Sequence, residues 1–130
     1  MLFRSVRGDL DSATDHYERA LQLAATLGER PNEANSLLGL AQIALMRGDH
    51  DSATDRYERV RQIATTLGDR NNEANSLLGL GRIARHRGPV ADARRHLTNA
   101  AAIYRQLGQL DAERQALSLL EQLTERAPEA

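Results

Sequence analysis

The residues best suited to chemistry form a cationic run in the second half of the chain. Between positions 82 and 96 the run contains one acid, Asp92. Its cationic members are Arg82, Arg85, His86, Arg87, Arg94, Arg95 and His96. Guanidinium groups bind carboxylates and phosphates through paired hydrogen bonds, so the run indicates an anion-binding patch. The alternative is a solvated rim, because scattered surface arginines often bind nothing.

Residues that could support catalysis or hold a metal are absent or have a structural interpretation. The chain has no cysteine, no GxxxxGK[ST] phosphate loop and no HExxH zinc motif. Asp49, His50 and Asp51 are consecutive, so their side chains diverge from the start of a helix and suit capping better than metal binding. The recurring serines are Ser12, Ser36, Ser52 and Ser76, which their repetition marks as architectural. We therefore expect no enzymatic activity, cofactor or metal.

The composition favours a helical domain with no nucleic-acid or membrane partner. Of 130 residues, 41% are hydrophobic and only 3% aromatic, so Leu, Ala and Ile must build the core. The formal net charge of −1 gives no overall attraction to nucleic acid or anionic lipid. No apolar run reaches the roughly 18 residues of a membrane helix. We expect a cytoplasmic location.

The chain repeats itself with a period of 40 residues. Segment 8–47 returns at 48–87 with about 28 of 40 positions identical, and a divergent copy covers 88–126. We favour recent duplication over a consensus-like origin for this closeness. Because chains of this period fold by stacking equivalent units, we predict one array over 1–130, with a helical remnant at 1–7 and a tail at 127–130.

Each copy contains two helical patterns joined by tight turns. Apolar residues at spacings of three and four predict A helices over 31–47, 71–87 and 111–126, and B helices over 10–27, 50–67 and 90–107. The predicted core stripes are Leu37, Leu40, Ala41 and Ala44 in an A helix, and Ala53, Tyr57, Val60, Ala64 and Leu67 in a B helix. Gly48 and Gly68 suit left-handed helix ends, and Asp49 and Asp69 suit the next N-caps.

These stripes resemble the tetratricopeptide repeat. Its A helix has a large residue, Leu and a small residue, as at Leu37, Leu40 and Ala41, and its B helix has the pattern of Ala53 and Tyr57. The 40-residue period is longer than the usual repeat of about 34 and is similar to that of spindle-orienting adaptors and bacterial signal-transduction ATPase or regulator sensor arrays. The resemblance implies an all-α, right-handed superhelical solenoid of antiparallel helix pairs, with about six full helices plus the N-terminal remnant.

The resemblance also implies a concave groove lined by the A helices, which would bind a peptide or protein segment as part of a larger bacterial regulatory protein. The predicted groove residues are Asn35, Leu38, Gln42, Leu45, Met46, Asn75, Leu78, Arg82, Arg85 and His86. The first half of this set combines amides with aliphatic groups and the second half adds cations. We therefore expect an acidic, amphipathic partner peptide.

The alternative function is head-to-tail self-association through incomplete terminal repeats. The first B helix lacks a full A helix before it, and the last A helix lacks a B helix after it. The residues predicted to meet are Leu10, Ala13, Tyr17, Leu117 and Leu120. Glu121 occupies a position where a small residue would allow close approach, which instead favours a solvated cap at 111–126.

Overall fold

A computed structural model describes the backbone of residues 2–126 and the side chains of residues 6–123. Throughout the described range the chain is helical apart from short turns. The helices are α1 (Leu2–Leu27), α2 (Arg30–Met46), α3 (His50–Leu67), α4 (Arg70–Arg87), α5 (Val90–Gln106) and α6 (Leu110–Arg126). The all-α prediction is confirmed, with α2, α4 and α6 as the A helices. The tail predicted at 127–130 lies outside the described residues.

The turns follow the glycine spacing of the sequence. Glycines 28, 48, 68, 88 and 108 all have a positive φ between 73° and 78°. At Gly68, the C-cap of α3, this left-handed conformation would strain any residue with a Cβ. Asp49 and Asp69 accept hydrogen bonds from the backbone N–H groups of Ser52 at 3.2 Å and Asn72 at 3.1 Å. Both predicted N-caps are thus confirmed.

The helical remnant predicted at 1–7 is not a separate element. Its described residues continue directly into α1, and Gly8 lies within that helix without a positive φ. The turn at Gly48 is stabilised because α2 packs against α3 on either side of it. A glycine inside a helix costs only about 1 kcal/mol relative to alanine. The helix therefore continues through Gly8.

The six helices stack in chain order, and the A helices form the inner layer. Each helix packs against its sequence neighbours; in addition α2 contacts α4, and α4 contacts α6. Within residues 2–126 the B helices α1, α3 and α5 make no corresponding contacts with one another. The A helices are therefore crowded on one side and the B helices are spread on the other.

Small residues permit this close stacking. Tyr57 of α3 is buried, and its ring lies against Gly79 of α4 so closely that a Cβ at position 79 would overlap it. Tyr17 has the same relation to Gly39 one repeat earlier. The predicted core stripes are buried apart from Leu67, which is 45% exposed. Leu67 is the last residue of α3, beyond the region covered by the neighbouring helices.

Candidate partner-binding groove

The inner layer exposes most of the predicted groove residues. Asn35, Gln42, Met46 and His86 are exposed. Leu38, Leu45, Asn75, Arg82 and Arg85 are half-buried. Leu78 is different, because it lies in the hydrophobic core with residues of α5 and α6 and offers little surface to a ligand. The prediction that Leu78 lines the groove is therefore wrong.

A cleft of about 220 Å³ brings three of the predicted cations together on the inner layer. Its lining residues are Leu45, His50, Arg82, Arg85, His86 and Leu119. The rings of His50 and His86 lie 5.8 Å apart between centroids. The cleft thus combines guanidinium and imidazole groups with a leucine from α2 and another from α6.

Arg85 is held at this cleft by a contact between helices. Its Nη1 donates a hydrogen bond to Gln122 Oε1 of α6. Its Nε is buried and has no hydrogen-bond partner among the described residues. Because Gln122 anchors one side of the guanidinium, Arg85 would lose little side-chain freedom on donating a hydrogen bond to a carboxylate in the cleft.

A second cleft of about 380 Å³ continues the groove between α4 and α6. It is lined by Arg82, Asp111, Arg114, Gln115, Ser118 and Leu119. Arg82 and Leu119 line both clefts, so the two clefts are adjacent, and together we call them the inner groove. Nothing in the local sequence pattern indicated His50 or Leu119 for this site, because they lie on α3 and α6 and join the groove only through stacking.

The two predicted groove asparagines also connect helices. Asn35 Oδ1 accepts a hydrogen bond of 2.8 Å from Asn72 Nδ2 of α4, and Asn75 Oδ1 accepts one of 2.5 Å from Tyr104 Oη of α5. Burial raises the pKa of Tyr104 to about 12, partly opposed by Arg82, so its hydroxyl remains a donor at neutral pH. These amides therefore have a structural role between helices and line neither inner cleft.

Two further members of the run lie on another part of the molecule. Arg87 and His96 line an outer cleft of about 570 Å³ between α3 and α5 that also contains Asp51, Asp55, Glu58 and Asp92. Arg87 Nη1 pairs with Asp51 Oδ1 at 2.7 Å and lowers the pKa of that carboxyl. Burial, followed by Arg95 and Arg61, lowers the pKa of His96. The run is therefore divided between an inner basic groove and an outer acidic cleft.

The residues predicted for self-association lie on both terminal helices. Leu10, Ala13 and Tyr17 of α1 are half-buried, as is Leu120 of α6. Leu117 is exposed on α6.

No cluster of three or more metal-binding side chains occurs among the described residues, and none of the described helices is long and apolar enough to cross a membrane.

Comparison with known proteins agrees with this helical stack. A family model described as Tetratricopeptide repeat matches residues 2–66, which are 65 of the 130 residues and thus half of the chain. A search of curated proteins found no match. With six stacked helices and the glycine and tyrosine packing described above, the matched half shows that this chain belongs to the tetratricopeptide repeat family.

Proposed function

We propose that this chain is a non-catalytic scaffold that binds an acidic, amphipathic peptide segment in the inner groove. Tetratricopeptide repeats generally mediate protein–protein interaction. The observation that carries the finer proposal is the cleft in which Arg82, Arg85 and His86 lie beside Leu45 and Leu119. Its cations suit carboxylates and its leucines suit an apolar stripe, so one ligand with both features fits best.

The same groove favours a protein ligand over a nucleic acid. Single-stranded nucleic acids need aromatic platforms for their bases, and neither inner cleft is lined by a tyrosine or phenylalanine. Asp111 in the groove would also repel phosphates. The 40-residue period supports a setting in a cytoplasmic bacterial regulatory protein.

Head-to-tail self-association has weaker support. In such a stack α6 would have to present the face with which α2 receives α3. The small residues Ala34 and Ala41, fully buried in α2, correspond to Arg114 and Glu121 in α6. Two charged side chains at these positions oppose close helix packing, although Leu117 corresponds to the buried Leu37.

Charge reversal in the groove tests the proposed function. The probe is a fluorescein-labelled helical peptide of about 18 residues, about 27 Å long, with a leucine stripe beside a glutamate stripe. The Arg82→Glu/Arg85→Glu variant should bind this peptide at least about ten-fold more weakly than wild type, because two attractive contacts become repulsive. Fluorescence anisotropy measures the affinity, and rising salt should weaken wild-type binding.

The matched control is Arg94→Glu/Arg95→Glu. It changes the net charge by the same amount at two exposed positions of α5 that line neither inner cleft. This control should retain wild-type affinity, and both variants should retain the wild-type helical circular dichroism. Equal affinity of wild type and the Arg82→Glu/Arg85→Glu variant would remove the groove as the binding site.

A further inference from the structure

We propose that the smaller cleft of the inner groove recognises a phosphoserine or phosphothreonine of the partner segment. We call it the cationic cleft, and its lining residues are Leu45, His50, Arg82, Arg85, His86 and Leu119. This inference rests on the proposed function, because it takes the ligand of the inner groove to be a peptide. It adds the identity of one acidic group that the peptide presents there.

Four side chains with N–H donors converge on the cationic cleft. Arg82, Arg85 and His86 are at positions i, i+3 and i+4 of α4, which places them on one face of that helix. His50 is the first residue of α3, and its ring centroid lies 5.8 Å from that of His86. Each guanidinium and each imidazole has at least one N–H to donate. Donors from two helices can therefore contact one bound group.

The positive charge of the cationic cleft has no acidic partner among the residues that the structure describes. None of the residues that line the cleft is an aspartate or a glutamate. Asp111 lines the adjacent cleft together with Arg82, but its Oδ1 lies 4.0 Å from Nη1 of Arg114. Arg82 and Arg85 are half-buried. Partly buried cations without a counter-charge are unfavourable, so an anion that enters the cleft would remove this cost.

A phosphate monoester matches these donors better than a single carboxylate does. It carries a charge of about −1.5 to −2 at pH 7 and has more acceptor oxygens than a carboxylate. One phosphate can therefore neutralise both guanidinium groups. Because Gln122 anchors Arg85, ordering this guanidinium around a phosphate costs little side-chain freedom. No tyrosine or phenylalanine lines the cleft to stack on a phosphotyrosine ring, which favours phosphoserine and phosphothreonine.

The preceding repeat shows that folding does not require these cations. The residues that correspond to His50, Arg82, Arg85 and His86 are Leu10, Gln42, Leu45 and Met46. The helices of that repeat stack with uncharged residues at all four places. The cations can therefore be exchanged for the residues of the preceding repeat without loss of the helical stack.

Three versions of one peptide separate phosphate recognition from general acidity. The labelled helical peptide of the groove test carries phosphoserine, glutamate or serine at one central position of its acidic stripe. Wild type should bind the phosphoserine version at least about ten-fold more tightly than the glutamate version, because the phosphate accepts more charge-assisted hydrogen bonds. Fluorescence anisotropy measures the three affinities, and inorganic phosphate is tested as a competitor.

His50→Leu/His86→Met tests the cleft with residues taken from the preceding repeat. Because Arg82 and Arg85 remain, this variant should still bind the glutamate version. Its preference for phosphoserine over glutamate should fall at least about three-fold, since two donors to the phosphate are lost. The matched control is His16→Gln, because His16 is exposed on α1 and lines neither inner cleft. The control should keep the wild-type preference, and both variants should keep the wild-type helical circular dichroism.

The possible results distinguish this inference from the proposed function. Wild-type affinity for the glutamate version that equals or exceeds the affinity for phosphoserine would overturn the inference and leave the proposed function intact. Failure of all three versions to bind would overturn both. A phosphoserine preference that persists in His50→Leu/His86→Met, or that falls equally in His16→Gln, would overturn the inference. Displacement of the phosphoserine peptide by inorganic phosphate at a comparable concentration would assign the cleft to free phosphate and would also overturn it.

Discussion

Helices α2 and α4 occupy equivalent places in successive repeats, with nearly identical buried faces and different exposed ones. Leu37 and Leu40 of α2 recur as Leu77 and Leu80 of α4, and all four are buried. On the inner surface, Gln42, Leu45 and Met46 of α2 are replaced by Arg82, Arg85 and His86 in α4. The stack requires only the buried positions, so the inner wall is free to differ in charge from one repeat to the next.

The neighbours of the two helices add to this difference. Arg85 of α4 is anchored by Gln122 and lies near Leu119 of α6. The cations therefore lie where α6 supplies an opposing wall, and α2 contributes the apolar Leu45 from the other side. A single repeat therefore does not define the proposed binding site, because α4 provides the charges and its neighbours provide the shape.

The largest expected effect concerns the shared packing of the two repeats. Gly79→Val should lower the free energy of unfolding by about 3 kcal/mol, because its side chain would overlap the buried Tyr57 ring. Gly39→Val should cost less, because Tyr17 is only half-buried, whereas Tyr57 is buried, and its ring has more room to turn. Urea unfolding measures both values. Equal costs would show that the two tyrosines are confined to the same degree.

The agreement between sequence and structure is greatest where the constraint is local. Glycine at regular intervals and aspartate after Gly48 and Gly68 predicted the helix ends to within about one residue, because left-handed caps and N-caps depend on adjacent residues. The core stripes were predictable for the same reason. Gly8 was the exception, since it lies inside α1 and has no positive φ.

The candidate site was less predictable because it depends on stacking between distant segments. His50 and Leu119 join the inner groove from α3 and α6, and no local pattern connects them with Arg82. Arg87 directly follows His86, yet one residue turns a helix by about 100°, and Arg87 faces the outer acidic cleft. A cationic run in the sequence was therefore divided between two faces of the molecule.

A smaller effect distinguishes the C-terminal repeat by its response to alkaline pH. Tyr104 replaces the alanine found at position 64, and its pKa is raised by burial to about 12 from an ordinary value of 10.0. Above pH 10 the unfolded chain releases this proton first, so the native state should lose stability as the pH rises from 10 to 12. Tyr104→Phe should reduce that loss, as measured by urea unfolding at each pH. If Tyr104→Phe lost as much stability as wild type between pH 10 and 12, the raised pKa of Tyr104 would be contradicted. The stability that Tyr104→Phe still loses should come from Tyr57, whose pKa is also raised by burial.

The most direct test of the central claim exchanges the inner surface of α4 for that of α2. The variant Arg82→Gln/Arg85→Leu/His86→Met gives α4 the residues that α2 carries at equivalent positions, and the stack should persist because none of the three is buried in the core. Titration with the acidic amphipathic peptide should then show at least about a ten-fold loss of affinity with an unchanged melting temperature. Wild-type affinity in this variant would contradict the account, because it would mean that the cations of α4 do not form the binding site.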